Sequence, residues 1–295
     1  MSGGAPSASY AVVFPGQGSQ AVGMGVALAE AFPEAAEVME RADRVIPGLW
    51  RLCREGPEEV LRQTSHTQPA ILSVCVAAWA VWRRHVPGNR LPAAGAGHSL
   101  GEYTALVASG CLEFEAALKL VRARGELMER AVPDGAGGMG AVIGLDDDAV
   151  RRICAAVSEQ SRDPAAVVPA NFNAPGQVVV SGLRQALDEV RARVEQAGGR
   201  YMELSVSGPF HSPWMKGAAE RFRAHLQSTS FAEPAWPVVA NVTARPLPSE
   251  PESIREHLFA QLASPVRWAE SLRAMAAMGV SHFVEIGPGR ALSGM

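Results

Sequence analysis

Residues 92–109 read PAAGAGHSLGEYTALVAS. The first six are small and largely apolar, which suits a strand packed closely against its neighbours. From Leu100 to Ser109 the pattern becomes that of a helix. Between the two stands Gly97-His98-Ser99-Leu100-Gly101, a G-x-S-x-G. In an α/β sheet this spacing makes a tight strand-to-helix turn that presents the serine Oγ on a strained elbow. Small flanking residues are needed because the backbone folds back so sharply that larger side chains would collide. The helix that follows aims its first N–H groups, that of Leu100 among them, at the place where negative charge develops. A Gly-rich connector with an incidental serine would spell the same five letters. Context separates the two, and here a strand and a helix stand where an elbow needs them.

Working outward, Gly and Pro punctuate the chain into short apolar runs and longer helical patterns. Tyr10 to Phe14 (YAVVF) is a buried-strand pattern that stops at Pro15, Gly16 and Gly18. Helical stretches are expected over 22–46, 68–85 and 114–131. Such alternation points to a parallel sheet covered by helices on both faces. The rhythm then changes. DGAGGMG (134–140) reads as a hinge, followed by strand 140–145, helix 146–158, strands 166–171 and 177–181, helix 183–197 and strand 200–206. The order βαββαβ is the ferredoxin-like split pattern, and residues 135–204 are expected to form an inserted small domain. The large domain then comprises 1–134 and 205–295, closing with a strand over 238–243, helices near 252–262 and 266–278, and a strand over 282–286.

Composition narrows the function classes. The chain has 295 residues, 27 Lys+Arg against 30 Asp+Glu and a net charge of −3, so it lacks the basic excess of a nucleic-acid or acidic-membrane surface. Its longest strictly apolar run, Val74 to Trp82, falls far short of the ~20 residues that span a bilayer. The N-terminus MSGGAPSASY has neither a basic nor a long apolar region, so no secretory signal is read. The expectation is a soluble, cytoplasmic protein. Its four cysteines and seven histidines are scattered, without zinc-knuckle spacing or HExxH. Metal catalysis is not supported, and buried thiols in a reducing compartment are expected.

A nucleophilic Ser99 needs a base. His85, His225 and His257 lie in polar helical surroundings, and His66 and His282 sit beside turns or strand ends. His98 adjoins the serine, but neighbouring side chains on a sharp turn point apart, so it reads as a shaping residue. His211 lies in SGPFHSP (207–213), a loop at the junction where the small domain returns the chain, and such junctions gather catalytic groups. Phe14-Pro15-Gly16-Gln17-Gly18-Ser19-Gln20 is either a plain βα turn or half of an oxyanion hole. Arg124, inside a helix, is by spacing alone no more than a solvated face.

FPGQGSQ (14–20), TQPAIL (67–72), GHSLGEY (97–103) and RGELM (124–128) together resemble the malonyl-CoA:acyl carrier protein transacylases, and NFNAPGQVVVSG (171–182), GPFHSPWM (208–215), ASPVRW (263–268) and EIGPG (285–289) match in the same order. That family includes fatty-acid-synthesis enzymes and polyketide-synthase acyltransferases. The resemblance implies an α/β-hydrolase-like large domain with a ferredoxin-like insert. It implies Ser99 as acylated nucleophile, His211 as base oriented by the main-chain carbonyl of Gln261, and the N–H groups of Gln17 and Leu100 as oxyanion hole. Arg124 would pair with the malonyl carboxylate, with His98 and Phe210 also at the substrate. A bulky Phe210 accompanies malonyl selection in such enzymes, although a ring simply packed under the loop fits the sequence equally well.

The partners so implied are malonyl-CoA and the phosphopantetheine thiol of an acyl carrier protein. No cofactor, nucleic acid or membrane is expected, and the protein is expected to be a monomer. The start at Met1 suggests a discrete enzyme acting in trans, while family members usually continue through one more short helix after EIGPGRALSG. Arg83–Arg84 and Arg151–Arg152 are either docking points for an acidic carrier or ordinary solvated pairs. A thioesterase on the same scaffold would have no use for Arg124, and a silent docking module none for Ser99 with His211.

Overall fold

A computed structural model describes residues 9–86 and 90–295, so most of the N-terminal tail read for a secretory signal lies outside the described residues. Strand β1 (Tyr10–Phe14) forms where an apolar run meets Pro15. Its side chains alternate between faces. Val12 and Phe14 join an apolar cluster with Trp79, Leu100 and Leu106. Ala11 and Val13 join a second cluster with Trp268 and Met275. β1 therefore lies between two layers of helices. Its sheet is parallel, in the order β7 (Val238–Val239), β2 (Ala94–Gly97), β1, β8 (His282–Glu285).

The helices before and after β2 are α1 (Val26–Ala31), α2 (Pro33–Val45), α3 (Leu49–Glu55), α4 (Glu58–Leu61), α5 (Thr64–His85), α6 (Gly101–Ala108) and α7 (Phe114–Glu129). The single helix expected over 22–46 is two, because Phe32 is extended and Pro33 opens a new first turn. Helices α3 and α4 were not anticipated. α5 starts earlier than expected and continues through Pro69. Its residues from Thr64 to Ala77 are nearly all buried, and that packing outweighs the hydrogen bond the proline removes.

A second sheet is built from β3 (Gly137–Ile143), β4 (Val167–Ala174), β5 (Gln177–Leu183) and β6 (Arg200–Glu203). It is antiparallel, in the order β4-β5-β3-β6, with α8 (Asp147–Ser161) and α9 (Arg184–Gln196) as the helices of the split βαβ pattern. Their apolar faces meet in a cluster that includes Val142, Val150, Val178, Val190 and Val194. The Asp146 side chain caps α8 by accepting from the Ala149 N–H at 2.6 Å. The hinge expected over 134–140 is corrected: β3 already begins at Gly137, where pairing with β5 and then β6 on its two sides overrides the weak strand propensity of glycine.

The chain then passes through α10 (Lys216–Gln227), which was not anticipated, β7, α11 (Pro251–Gln261), α12 (Trp268–Ala277) and β8. The strand expected over 238–243 pairs only at Val238 and Val239. Two residues on, the Asn241 N–H leaves the ladder for the Glu102 carboxylate at 2.7 Å. The four cysteines are free and buried, and burial raises the thiol pKa of each, so they are poor nucleophiles. Among the described residues, no helix is long and apolar enough to cross a membrane, and no group of His, Cys, Asp or Glu could hold a metal ion.

Candidate active site

The G-x-S-x-G turn lies between β2 and α6, at the C-terminal end of the parallel sheet. Ser99 has φ +52°, a left-handed backbone that costs a non-glycine residue about 1–3 kcal/mol. The flanking glycines are sterically required. A Cβ on Gly97 would sit 1.8 Å from the Gly101 carbonyl carbon, and one on Gly101 would sit 2.2 Å from the Phe14 oxygen. Side chains hold the turn in place. Asn241 Oδ1 accepts from the Ser99 N–H at 2.7 Å, and Asn241 Nδ2 donates to the Gly97 carbonyl at 2.7 Å.

His211 also has a positive φ, +56°, and is buried. Its Nε2 lies 2.7 Å from Ser99 Oγ and its Nδ1 lies 3.0 Å from the main-chain oxygen of Gln261. A carbonyl can only accept, so Nδ1 carries the proton and Nε2 offers its lone pair to the serine hydroxyl. Burial, reinforced by the charge of Arg124, holds the imidazole pKa down at about 3, against the opposing hydrogen bond to Gln261. The ring is therefore neutral and able to take a proton at any ordinary pH.

Arg124 extends from α7 into the same place and is 1% exposed. Its Nη1 donates to Gln68 Oε1 at 2.9 Å, and its Nη2 to Gln261 Oε1 at 3.0 Å and to Ser99 Oγ at 3.1 Å. Its Nε is buried without a partner, and the guanidinium lies 5.4 Å from the Tyr103 ring centroid. Among the described residues no carboxylate lies within ion-pairing distance of it. Glu102, wholly buried nearby, has its pKa pushed up to about 7 by desolvation, which outweighs the Asn241 N–H and the charge of Arg124. A desolvated cation without a matching anion is costly.

These groups line a cleft of about 440 Å³ with Gln17, His98, Leu100, Met128, Met139, Asn171, Val206 and Phe210. All eight residues named from the sequence therefore meet: seven line the cleft, and Gln261 lies behind it, bonded to three of them. Gln17 Nε2 donates to Thr64 Oγ1 at 3.2 Å, and that hydroxyl is 3.2 Å from Ser207 Oγ, so the loop after β1 is tied to the segment carrying His211. His98 Nε2 lies 2.9 Å from Asn173 Oδ1, and burial lowers its pKa. Phe210 is buried against the cleft wall.

Four polar residues were given no role by sequence reasoning. Gln68, Glu102 and Asn173 lie in quoted motif blocks, and Asn241 lies in the run Val-Val-Ala-Asn (238–241); a polar residue among residues that fill a core was the available signal. In each of the two basic pairs at least one arginine has a contact within the chain. Arg84 approaches Glu34 at 3.7 Å, and Arg151 lies 4.2 Å from the Phe172 ring centroid.

Residues 11–293 match the family model described as an acyl transferase domain. The chain is 43% identical over 288 residues to the malonyl CoA-acyl carrier protein transacylase of Salmonella typhimurium, covering 97% of this chain and 91% of that protein. It is 42% identical over 287 residues to the one of Bacillus subtilis, covering 97% and 88%. A crystal structure of an acyl carrier protein S-malonyltransferase from Vibrio cholerae superimposes with a TM-score of 0.91 at 44% identity, covering 97% of this chain and 92% of that one. A malonyl-transacylase solved in complex with its type II PKS acyl-carrier protein superimposes with a TM-score of 0.92 at 43% identity, covering 97% and 91%. With the elbow, the imidazole and the buried guanidinium assembled in that fold, the chain belongs to the acyl transferase family, among the malonyl CoA-acyl carrier protein transacylases.

Proposed function

We propose that this protein transfers a malonyl group from malonyl-CoA to the phosphopantetheine thiol of an acyl carrier protein, in fatty-acid or polyketide synthesis. The observation that carries the reading is one serine Oγ within 2.7 Å of a neutral imidazole and 3.1 Å of a guanidinium that has no carboxylate partner among the described residues. The imidazole supplies general-base chemistry, and the guanidinium selects an acyl group that ends in a carboxylate.

The cycle is ping-pong. His211 Nε2 takes the Ser99 proton as Oγ bonds to the thioester carbonyl carbon. The N–H groups of Gln17 and Leu100 hold the resulting oxyanion, while both oxygens of the malonyl carboxylate lie on Arg124. Collapse breaks the C–S bond, and the CoA thiolate leaves with the proton from His211. The carrier thiol then gives its proton to His211, attacks the acyl-serine and releases Oγ, which recovers the proton. Every bond made or broken is met by these side chains, so we assign no cofactor and no metal. Phe210 fills the space beside the base, and we assign it the exclusion of an α-methyl, a discrimination worth about 1–3 kcal/mol. We place the active unit as a cytoplasmic monomer, since one chain supplies the whole site and buried thiols suit a reducing compartment. The parts of the molecule on either side of the insert, 1–134 and 205–295, form the catalytic domain in this reading, and 135–204 the small domain.

The test is intact mass after brief exposure to malonyl-, methylmalonyl- and acetyl-CoA. Wild type should gain a malonyl-sized adduct, and Ser99→Ala none. Arg124→Ala should lose about a hundredfold in malonyl loading, the worth of two charge-assisted hydrogen bonds, and much less with acetyl. Phe210→Ala should gain on methylmalonyl relative to malonyl. Preferential acetyl labelling followed by rapid loss to water would make the protein a hydrolase instead.

A further inference from the structure

The backbone of Ser99, turned left-handed at φ +52°, has left the ladder of β2, and its polar groups need partners from elsewhere. Asn241 supplies one for the N–H with a carboxamide used at both ends: Oδ1 accepts from the Ser99 N–H, and Nδ2 donates to the Gly97 carbonyl, each at 2.7 Å, while the Ser99 carbonyl accepts from the Glu102 N–H at 3.1 Å. Asn241 is itself held by its backbone. Its N–H donates to Glu102 Oε2 at 2.7 Å and its carbonyl accepts from the Arg267 N–H at 3.0 Å. Glu102 projects from the first turn of α6, three residues after the serine. A ring closes: Ser99 leads along α6 to Glu102, across to the Asn241 backbone, and through its carboxamide back to the Ser99 N–H. Gln261 Nε2 bonds to the Ser99 carbonyl at 3.0 Å from the other side.

Both residues are fully buried, and the residues before Asn241, from Val238 to Ala240, are apolar core. An apolar residue at 241 would carry a smaller desolvation cost there. What a carboxamide adds is direction, because it holds the C=O before His98 and the N–H after it at once, fixing the chain that leads into the nucleophile.

We propose that Asn241 and Glu102 are positioning residues for acyl transfer, clamping the Ser99 backbone so that Oγ faces His211 and the Leu100 N–H faces the developing oxyanion. The clamp touches neither substrate nor reacting atoms. Its effect is on the rate of attack, since a displacement near 1 Å at a reacting centre costs on the order of a hundredfold. This inference rests on Ser99 being the acylated residue.

The test is rapid-quench acylation of Ser99 under saturating malonyl-CoA, read as amplitude and rate constant separately, with KM and thermal midpoint alongside. In Asn241→Ala the rate constant should fall about 10- to 100-fold while KM stays within about twofold. A fluorophosphonate, which has no carboxylate for Arg124, should be slowed by a similar factor. A merely structural role would lower the amplitude and the midpoint and leave the rate constant of the folded fraction alone. Should Asn241→Ala not fold, Asn241→Asp carries the test, because it keeps the acceptor for Ser99 and loses the donor to Gly97; about a tenfold slower rate constant is expected. Glu102→Gln, which retains an oxygen for the Asn241 N–H, should recover much of the rate lost in Glu102→Ala. A wild-type rate constant in Asn241→Ala or Asn241→Asp overturns the clamp. Absence of label on Ser99 in the wild type would instead overturn the nucleophile assignment.

Discussion

The protonation of His211 follows from where its two nitrogens point. Nδ1 faces a carbonyl and Nε2 faces the serine, so the neutral tautomer that can accept a proton is the one the fold stabilises. With its pKa held at about 3, the base stays unprotonated far below the ordinary imidazole range. Acylation measured as CoA release in the first turnover should therefore show no acid limb between pH 7 and pH 5. A limb near pH 6.5 would mean that the imidazole is solvated in the working enzyme. Apart from the family resemblance, His211 was legible at this scale only as a histidine in a Pro- and Gly-rich junction loop. Arg124 was less legible still, since a helical arginine and a buried guanidinium have the same sequence signature until the partner helices are in place.

Elements make the turn possible. β2 and α6 approach so closely at the elbow that the contact admits no Cβ at Gly97. Gly97→Ala would push against the backbone of Gly101, which cannot rotate away. About 3 kcal/mol or more of destabilisation is expected, a fall of roughly 6–12 °C in the thermal midpoint. A midpoint within about 2 °C of wild type would show that β2 and α6 can slide apart at little cost. The expected strand and helix were found here because a short apolar strand, a glycine pair and a helical pattern are all local signals. The break at Pro33 is a local signal as well, since a proline fits the first turn of a new helix and disfavours a helical residue before it. The early start of α5 was not locally readable, because burial of that helix, not propensity, outweighs its proline. The shortness of β7 had no local signal either, since the Asn241 N–H is taken by a carboxylate 139 residues away in the chain.

For the whole molecule, buried titratable groups set how stability responds to pH. His211 is about 3 when folded against an ordinary 6.5, so the unfolded chain binds the extra proton and stability declines as pH falls from about 6.5 toward 3. Glu102 is about 7 when folded against an ordinary 4.5, so the folded chain holds the proton instead. Its contribution is complete below pH 4.5 and is lost as pH rises through 7. Between about pH 4.5 and 6.5 the two trends oppose each other. Glu102→Gln removes only the second, so its thermal midpoint should gain on wild type steadily from pH 4.5 to pH 7.5. A difference that stays flat across that range would place an ionised Glu102 in the fold at all these pH values.

The sequence by itself determined the elbow, the parallel and split-βαβ rhythm and, through eight ordered motif blocks, the family. Each depends on residues close in the chain, where sterics and periodicity act without help from the fold. The resemblance implied His211, Arg124 and Gln261, but only the tertiary structure decided that this imidazole lies 2.7 Å from Ser99 across 112 residues, that the Gln261 side chain joins Arg124 to the elbow across 137, and that Asn241 holds the serine backbone across 142. Hydrogen bonds and burial act through space, and the partner of a buried polar group is named only when the chain has folded around it.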